Sequence, residues 1–565
     1  MYIRFVAICL VFVWGLGGCA NVQPLTGGKK DTKPPVLLAF KSYPKFKSTN
    51  FKGDRIILYF NEWIKEEKLS QNLIITPSLK TYRSKVTKDR IEIRWEQPLD
   101  TNTTYTFNFR KGIVDITESN ICLNPKWVFS TGPTIDTLGF SGQVRNLLTG
   151  APVENALVAL YIKDDTSKVD KDPPAYLSLT DATGIFTFEN IRPDTYDIFA
   201  FVDKNNNQFY NEPELIAFRS HPIALRDSAY AEGIRLWLAP EDHTPPEIRR
   251  GQSKANLFEV SFEEGLRAFY IDSGKINNPD FTYRLNDKAD GILFYNLQSS
   301  LNRDSIPVSI IAYDSAYNRT ALETKIFFDP ADLNKKEKFS LNLAQRTQIP
   351  IEQQLALDFK FNKPIKTWHP DKIKIQLDPT KALNQYGWAE QLALFATDKL
   401  PQTFPLWSDT TSLKGWNMGR NLLHIDSILA VKQKIEIIAE EGAFISVESD
   451  TSKYNSLLLE LKEEKNYGSL AISLKINAPH FIVQLTDDKF NVKREVFNQS
   501  KIVFKYLPPA TYLIRVIMDE NQNKIWDGSD FKKDKHPEKI LVHPQSYKIR
   551  ENWDLSETID FETIK

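Results

Sequence analysis

Two stretches of the chain place oxygen-bearing side chains at the spacing a hard cation uses. Asp203, Asn205, Asn207, Phe209, Asn211 and Glu214 fall at positions 1, 3, 5, 7, 9 and 12 of a calcium loop, and Asp519, Asn521, Asn523, Ile525, Asp527 and Asp530 repeat them. That spacing aims successive side-chain oxygens inward and adds the main-chain carbonyl of the seventh residue. Calcium is the one cofactor the sequence suggests. Against it, Gln208 and Lys524 stand at the sixth position, where a helix-flanked calcium loop has glycine, and each loop follows a strand-like run. An Asx-rich turn, in which Asn and Asp bond their own backbone, uses the same residue types. Metal and turn both stay open, because a duplication copies a turn as readily as a metal site.

Other chemistry finds little support. None of His221, His243, His369, His424, His480, His536 and His543 sits in a His-Glu-x-x-His pattern, and there is no Gly-x-Ser-x-Gly elbow, Walker loop or Gly-x-Gly-x-x-Gly turn. Cys122 would need a basic neighbour to act as a nucleophile; after Asn120-Ile121 it reads as buried filler. The expectation is a protein that is not an enzyme. A contact surface is the other candidate: the connection from Pro379 to Leu422 is much longer than that from Pro77 to Arg90 and carries Tyr386, Trp388, Phe404, Trp407 and Trp416. Exposed, these rings would suit sugar stacking or a protein contact. Buried, they would fill the core of added strands, where aromatics usually go.

The elements that must position these residues follow a period of two. Arg55 to Phe60, Arg90 to Trp95, Thr104 to Phe109 and Gly184 to Phe188 are short, rich in β-branched and aromatic residues, and bounded by Asn, Asp, Gly and Pro. In Thr104 to Phe109 the alternation puts Tyr105, Phe107 and Phe109 on a buried face and Thr104, Thr106 and Asn108 on a wet one. Helical periodicity is scarce, so the fold class is all-β, built as tandem sandwiches.

The address lies at the start. Met1 to Arg4 carries one positive charge, Phe5 to Trp14 is an apolar run short for a bilayer span, and Leu16-Gly17-Gly18 precedes Cys19. This is a signal peptide over 1–18, followed by a glycine- and proline-bearing tether over 19–34. With Cys9 removed and Cys19 modified, Cys122 has no partner and no intrachain disulfide forms. Seventy-two basic residues balance 72 acidic ones for a net charge of +0, so no basic stripe argues for nucleic acid.

Internal repeats set the architecture. Phe188 to Asn207 aligns without a gap on Phe504 to Asn523, with Pro193, Thr195, Tyr196, Ile198 and Asp203 meeting identical residues at Pro509, Thr511, Tyr512, Ile514 and Asp519. A weaker repeat pairs Leu58-Tyr-Phe-Asn-Glu-Trp-Ile64 with Phe359-Lys-Phe-Asn-Lys-Pro-Ile365. On Tyr59-Phe-Asn-Glu62, Asn72-Leu-Ile-Ile-Thr-Pro77 and Trp127-Val-Phe-Ser-Thr-Gly132, the first module resembles the bacterial Ig-like domain of the SbsA type. On Thr149-Gly-Ala-Pro-Val153, Thr180-Asp-Ala-Thr-Gly184 and Pro193-Asp-Thr-Tyr196, the next resembles a carboxypeptidase regulatory-like domain, a transthyretin-like sandwich without peptidase activity of its own. The start, with Cys19-Ala-Asn and Asp31-Thr-Lys-Pro-Pro35, is similar to a lipoprotein group common in the Bacteroidota, and Leu16 to Cys19 resembles a lipobox, which implies diacylglycerol on the Cys19 thiol. The expected modules are an SbsA-type Ig-like domain at 35–132, a regulatory-like domain at 138–240, an Ig- or fibronectin-like domain at 244–330, a second SbsA-type domain with the aromatic insertion at 338–464, and a second transthyretin-like domain at 467–565. The implied role is a non-catalytic envelope lipoprotein, held in the outer membrane by Cys19, that scaffolds or binds an unidentified protein or glycan. A periplasmic assembly component and a carbohydrate binder are the alternatives, and the membrane face is open.

Overall fold

The computed structural model describes residues 30–79, 81–123, 125–163, 166–226, 231–254, 256–272, 281–296, 305–329, 338–345, 354–377, 415–416, 422–429, 434–460 and 462–561. Regular structure within them is almost all strand, gathered in small, mostly antiparallel sheets, as the all-β expectation requires. Backbone proximity groups the chain into two compact units. The first holds Met1–Arg145, Pro152–Asn211 and Ala217–Leu236; the second holds Asn146–Ala151, Glu212–Ile216 and Trp237–Lys565.

The first unit opens with eight strands: β1 (Arg55–Tyr59), β2 (Ile64–Glu66), β3 (Ile74–Thr76), β4 (Tyr82–Thr87), β5 (Arg90–Trp95), β6 (Thr104–Asn108), β7 (Ile113–Asp115) and β8 (Lys126–Ser130). They form sheets β1-β5-β4 and β3-β6-β8 and a ribbon β2-β7. Alternation dictates the core: Ile56 and Leu58 of β1 lie opposite Ile93 and Ile91 of β5, and all four are fully buried with Phe107, Trp127 and Phe129 of the other sheet. Each such side chain contributes roughly 1.5–3 kcal/mol by leaving water. Cys122 belongs to this core, and burial pushes its thiol up to about 11, which makes it filler.

Strand β6 departs from the expected alternation. Thr104 and Thr106 are as buried as their aromatic neighbours, so the face read as wet is covered. Thr104 Oγ1 accepts from Asp136 N at 2.9 Å and Thr106 Oγ1 from Asn190 Nδ2 at 3.3 Å. Threonine survives burial there because its hydroxyl is bonded. The period of two reports which residues share a face, not whether a later segment covers the second one.

Residues 138–240 supply an eight-stranded sheet in which Leu157–Ile162 pairs with Tyr176–Leu179 and Asp194–Phe201, while Ile185–Ile191 pairs with Leu138–Asn146. The turn over Asp181 to Gly184 forms as its residues dictate. Asp181 Oδ1 accepts from the nitrogens of Thr183 (2.8 Å) and Ile185 (2.9 Å), and Gly184 takes φ +75°, where a Cβ would come 2.4 Å from the Val144 carbonyl.

In the second unit, residues 248–326 form a four-stranded sheet facing a three-stranded one around Phe258, Phe262, Phe294 and Ile310. Residues 341–460 repeat the plan of the first module, with Ile365–Trp368 paired to Phe444–Ser446 as β2 pairs with β7. Residues 468–560 repeat the plan of residues 138–240. Phe481–Asp487 pairs with Val492–Phe497 and Ala510–Met518, and Gly468–Lys475 with Lys501–Leu507, the partners that 157–162 and 138–146 take in the earlier copy. The shared tyrosines do one job: Tyr196 donates to Arg192 O at 2.8 Å and Tyr512 to Pro508 O at 2.9 Å, each from a buried ring.

Candidate cation centres

The two predicted calcium loops follow the strands Asp194–Phe201 and Ala510–Met518 and share one hydrogen-bond pattern. In the first, Asn207 N donates to Asp203 Oδ1 (3.1 Å) and Asn205 Oδ1 (3.0 Å), Gln208 N to Asp203 Oδ2 (2.8 Å) and Phe209 N to Asn207 Oδ1 (2.9 Å). In the second, Asn523 N donates to Asp519 Oδ1 and Asn521 Oδ1 (both 3.0 Å), Lys524 N to Asp519 Oδ2 (3.1 Å) and Ile525 N to Asn523 Oδ1 (2.8 Å). The missing glycine is no obstacle to this shape, since Gln208 and Lys524 adopt φ 67° and 62° themselves.

The side chains of positions 3, 5 and 9 meet in both loops, while position 1 accepts from the backbone. The amides of Asn205 and Asn207 donate to Asn211 Oδ1 at 2.9 and 2.6 Å, and those of Asn521 and Asn523 to Asp527 Oδ2 at 2.5 and 2.9 Å. Position 12 differs. Glu214 is buried, whereas Asp530 caps the short helix Phe531–Lys533, pairs with Lys533 at 2.8 Å and lies 3.7 Å from His243. Among the described residues, Asp519, Asp527 and Asp530 do not bring three carboxylate oxygens within 4.8 Å of one another. Glu538, which the spacing did not single out, closes the second loop by accepting from Glu520 N (2.9 Å) and Asp527 N (3.1 Å). Burial and the charges of Asp527 and Asp519 raise its carboxyl.

A second acidic centre was not read from the sequence. Asp242, Glu264 and Asp314 place carboxylate oxygens within 4.8 Å of one another. Asn318 organises them: its N and Nδ2 donate to Asp314 at 2.8 and 2.7 Å, and Nδ2 also holds the Asp242 carbonyl at 2.9 Å. The first module carries the same device. Asn120 Nδ2 donates to Asp115 Oδ2 at 2.7 Å and to the Asp31 carbonyl at 3.1 Å, with Glu62 in the place of Glu264. In these two modules the clamp fixes the leading segment before the Pro-Pro pair to a turn of its own sandwich.

The 338–460 copy lacks this cluster: Ser446 stands opposite Ile365 where Asp115 stands opposite Ile64. Ser340 N donates to Asn362 Oδ1 as Val36 N does to Asn61 Oδ1, so Lys363 occupies the position of Glu62. Its Nζ lies 2.7 Å from Glu448 and 2.6 Å from Asp450. In this copy a lysine pairs with two carboxylates of the following turn that the other modules do not use.

Crowded carboxylates titrate high. Burial, then the charges of Asp242 and Asp314, push Glu264 up to about 7, and burial with Asp115 and Asp31 raises Glu62. A carboxyl whose folded pKa lies above its unfolded value binds more protons in the folded state, so stability falls as pH rises from about 4.5 to 7. In chelator, Glu264→Gln is expected to stabilise the protein at pH 8 by about 1 kcal/mol, reduced from the full shift because water reaches the group, and to change nothing at pH 4. Thermal melts at the two pH values check both sign and window.

The aromatic insertion is not visible here. Tyr386, Trp388 and Trp407 lie outside the described residues, as does Cys19, and for Trp416 only the backbone, paired with Leu423, is described.

Residues 31–131 match the family model of the bacterial Ig-like domain Big_5. Comparison with curated proteins gives no match. Solved structures with similarity include the major pilin subunit BcpA of Bacillus cereus, at 7 % identity over 75 % of this chain and 98 % of that one, TM-score 0.15. The TIE protein of Bacillus anthracis gives 9 % identity over 95 % and 75 %, TM-score 0.13. The S-layer protein rSbsC gives 9 % over 91 % and 67 %, TM-score 0.14. At such scores the likeness says nothing of what this chain does.

Proposed function

We infer that the chain is a non-catalytic envelope lipoprotein, anchored by acylated Cys19 in the outer membrane, whose sandwiches form a scaffold or binding array. The observation that carries this reading is the clamp built twice, at Asn120 and Asn318, to pin the segment before a Pro-Pro pair to a turn of the sandwich that follows it. Such a device serves a chain of modules that must keep their ends in order, and it occupies the polar clusters where an active site would otherwise be sought. The repeated plan supports a second SbsA-type module at 338–464 and transthyretin-like modules at 138–240 and 467–565, in a protein of Bacteroidota type. Labelled palmitate should enter the wild-type chain and not Cys19→Ala; label retained in the variant sinks the anchor at that residue. Protease shaving of intact cells then distinguishes the outer face from the periplasmic one.

The loops at Asp203 and Asp519 act, on this reading, as calcium clips. The supporting feature is that the side chains of positions 3, 5 and 9 meet, with the position 1 aspartate accepting from the same turn, in one geometry at two places in the chain. Calorimetry with calcium should give saturable heat that is lost in the Asp203→Ala, Asp519→Ala double variant. No heat from the wild type leaves both loops as Asx turns, and heat that survives in the double variant moves the ion elsewhere.

A further inference from the structure

Residues Val36 to Lys52 carry four lysines and no acidic residue, and they immediately follow the tether. The segment runs along one side of the first sandwich, bridged to β1 at Leu37↔Phe60 and Tyr43↔Ile57 and to β8 at Ser48↔Phe129. Strands β1 and β8 are the edges of their sheets, so the segment covers the seam between the two. Leu37 and Phe51 pack on the core, but four other apolar side chains face outward: Phe40 is 82 % exposed, Val36 56 %, Tyr43 51 % and Phe46 44 %. Lys41, Lys45, Lys47 and Lys52 are exposed among them, with the Lys41 and Lys47 ammonium groups 5.8 Å from the centres of the Phe40 and Phe46 rings.

We propose that this seam is a membrane-apposed face, which lays the first sandwich on an anionic phospholipid surface. Aromatic rings interleaved with lysines suit the headgroup boundary, where rings enter the interface and ammonium groups stay at the phosphates. The occupant follows from the chain that leads here. Cys19 lies 11 residues before Lys30, a span of at most about 40 Å, so an acyl group on that cysteine keeps the seam within reach of the bilayer at all times. With diacylglycerol holding the chain at the bilayer, the basic and aromatic face sets how the first sandwich lies on it. The proposal rests on the anchor reading but is tested apart from it.

The test uses the mature chain with Cys19→Ser, which cannot be acylated there, so that binding reports the face alone while palmitate labelling reports the anchor. Sedimentation with vesicles of phosphatidylcholine mixed with phosphatidylglycerol should recover the protein, and vesicles of phosphatidylcholine alone should not. Binding should fall about tenfold as salt rises from roughly 0.05 to 0.5 M. Phe40→Ser and the triple change Lys41→Glu, Lys45→Glu, Lys47→Glu should each weaken it by about tenfold with the melting temperature unchanged, since none of these side chains is buried. Equal recovery with both vesicle types, or unchanged binding by both variants, overturns the proposal. So does a dimer in sedimentation velocity that Phe40→Ser dissolves in a chain that ignores vesicles, because the occupant is then a second copy.

Discussion

Replacing Lys363 by alanine should destabilise the 338–460 module by about 3 kcal/mol, and replacing it by glutamate should cost more. The ammonium group sits on a side chain only 6 % exposed, between Glu448 and Asp450, whose side chains are 12 % and 39 % exposed. Alanine removes the cation and leaves the largely covered Glu448 side chain with the Asn256 amide, 3.0 Å away, as its remaining side-chain partner among the described residues. Water at the more exposed Asp450 keeps the cost from going higher. Lys363→Glu would set a third carboxylate beside Glu448 and Asp450 without a counter-ion, so its penalty should shrink when calcium is added and that of alanine should not. Burial works against the charge on Lys363, but hydrogen bonds to Asp450 and Glu448 outweigh it and raise its pKa. Its stabilisation is therefore complete below about pH 10.5 and is lost only as pH climbs through the higher folded value. Hydrogen exchange of Ile365–Trp368 and Phe444–Ser446, the strands flanking the pair, reads the effect locally; unchanged protection in Lys363→Ala would mean the ion pair does not hold the ribbon.

How much of this was legible beforehand depended on sequence distance. Strands such as Arg55–Tyr59 and the plan shared by 138–240 and 468–560 follow from local alternation and from the gapless alignment of 188–207 with 504–523, because both signals lie within a single element and its turn. The loops at Asp203 and Asp519 were legible for the same reason. The carboxylate centres were not: Asp31, Glu62 and Asp115 come from three distant segments that only folding brings together. One signal did exist. The echo of Lys33-Pro-Pro35 in Thr244-Pro-Pro246 extends back to Asp31 and Asp242, each two residues before, and the partner asparagines follow Asp115 and Asp314 by similar short turns. Burial of Thr104 and Thr106 was hidden in another way, since the groups that cover them, Asp136 and Asn190, lie beyond the module itself.

Asp115→Ala should cost the first module about 3–4 kcal/mol, the largest effect expected of any change outside its apolar core. The carboxylate is 1 % exposed and accepts from Glu118 N (2.6 Å), Ser119 N (2.8 Å), Asn120 N (3.1 Å) and Asn120 Nδ2 (2.7 Å). Alanine strands those donors in a buried turn, and a donor left without an acceptor costs more than an average hydrogen bond returns. An asparagine side chain in its place would keep one acceptor oxygen but turn an NH2 group toward donors, so Asp115→Asn should fall near half the alanine penalty. Burial tends to raise the Asp115 carboxyl, yet the bonds from Glu118 and Asn120 win and hold it below the ordinary value. Its contribution is therefore present above about pH 3.8 and is lost as pH falls through the lower folded value, opposite in sign to the Glu264 cluster. Asn120→Ala separates the two jobs of the clamp. It frees the Asp31 carbonyl but leaves Asp115 bonded to three backbone donors, so exchange at residues 31–36 should rise while the melting temperature drops much less than in Asp115→Ala. If both variants lose stability equally, the leading segment and the turn are one cooperative piece and the asparagine side chain is what joins them.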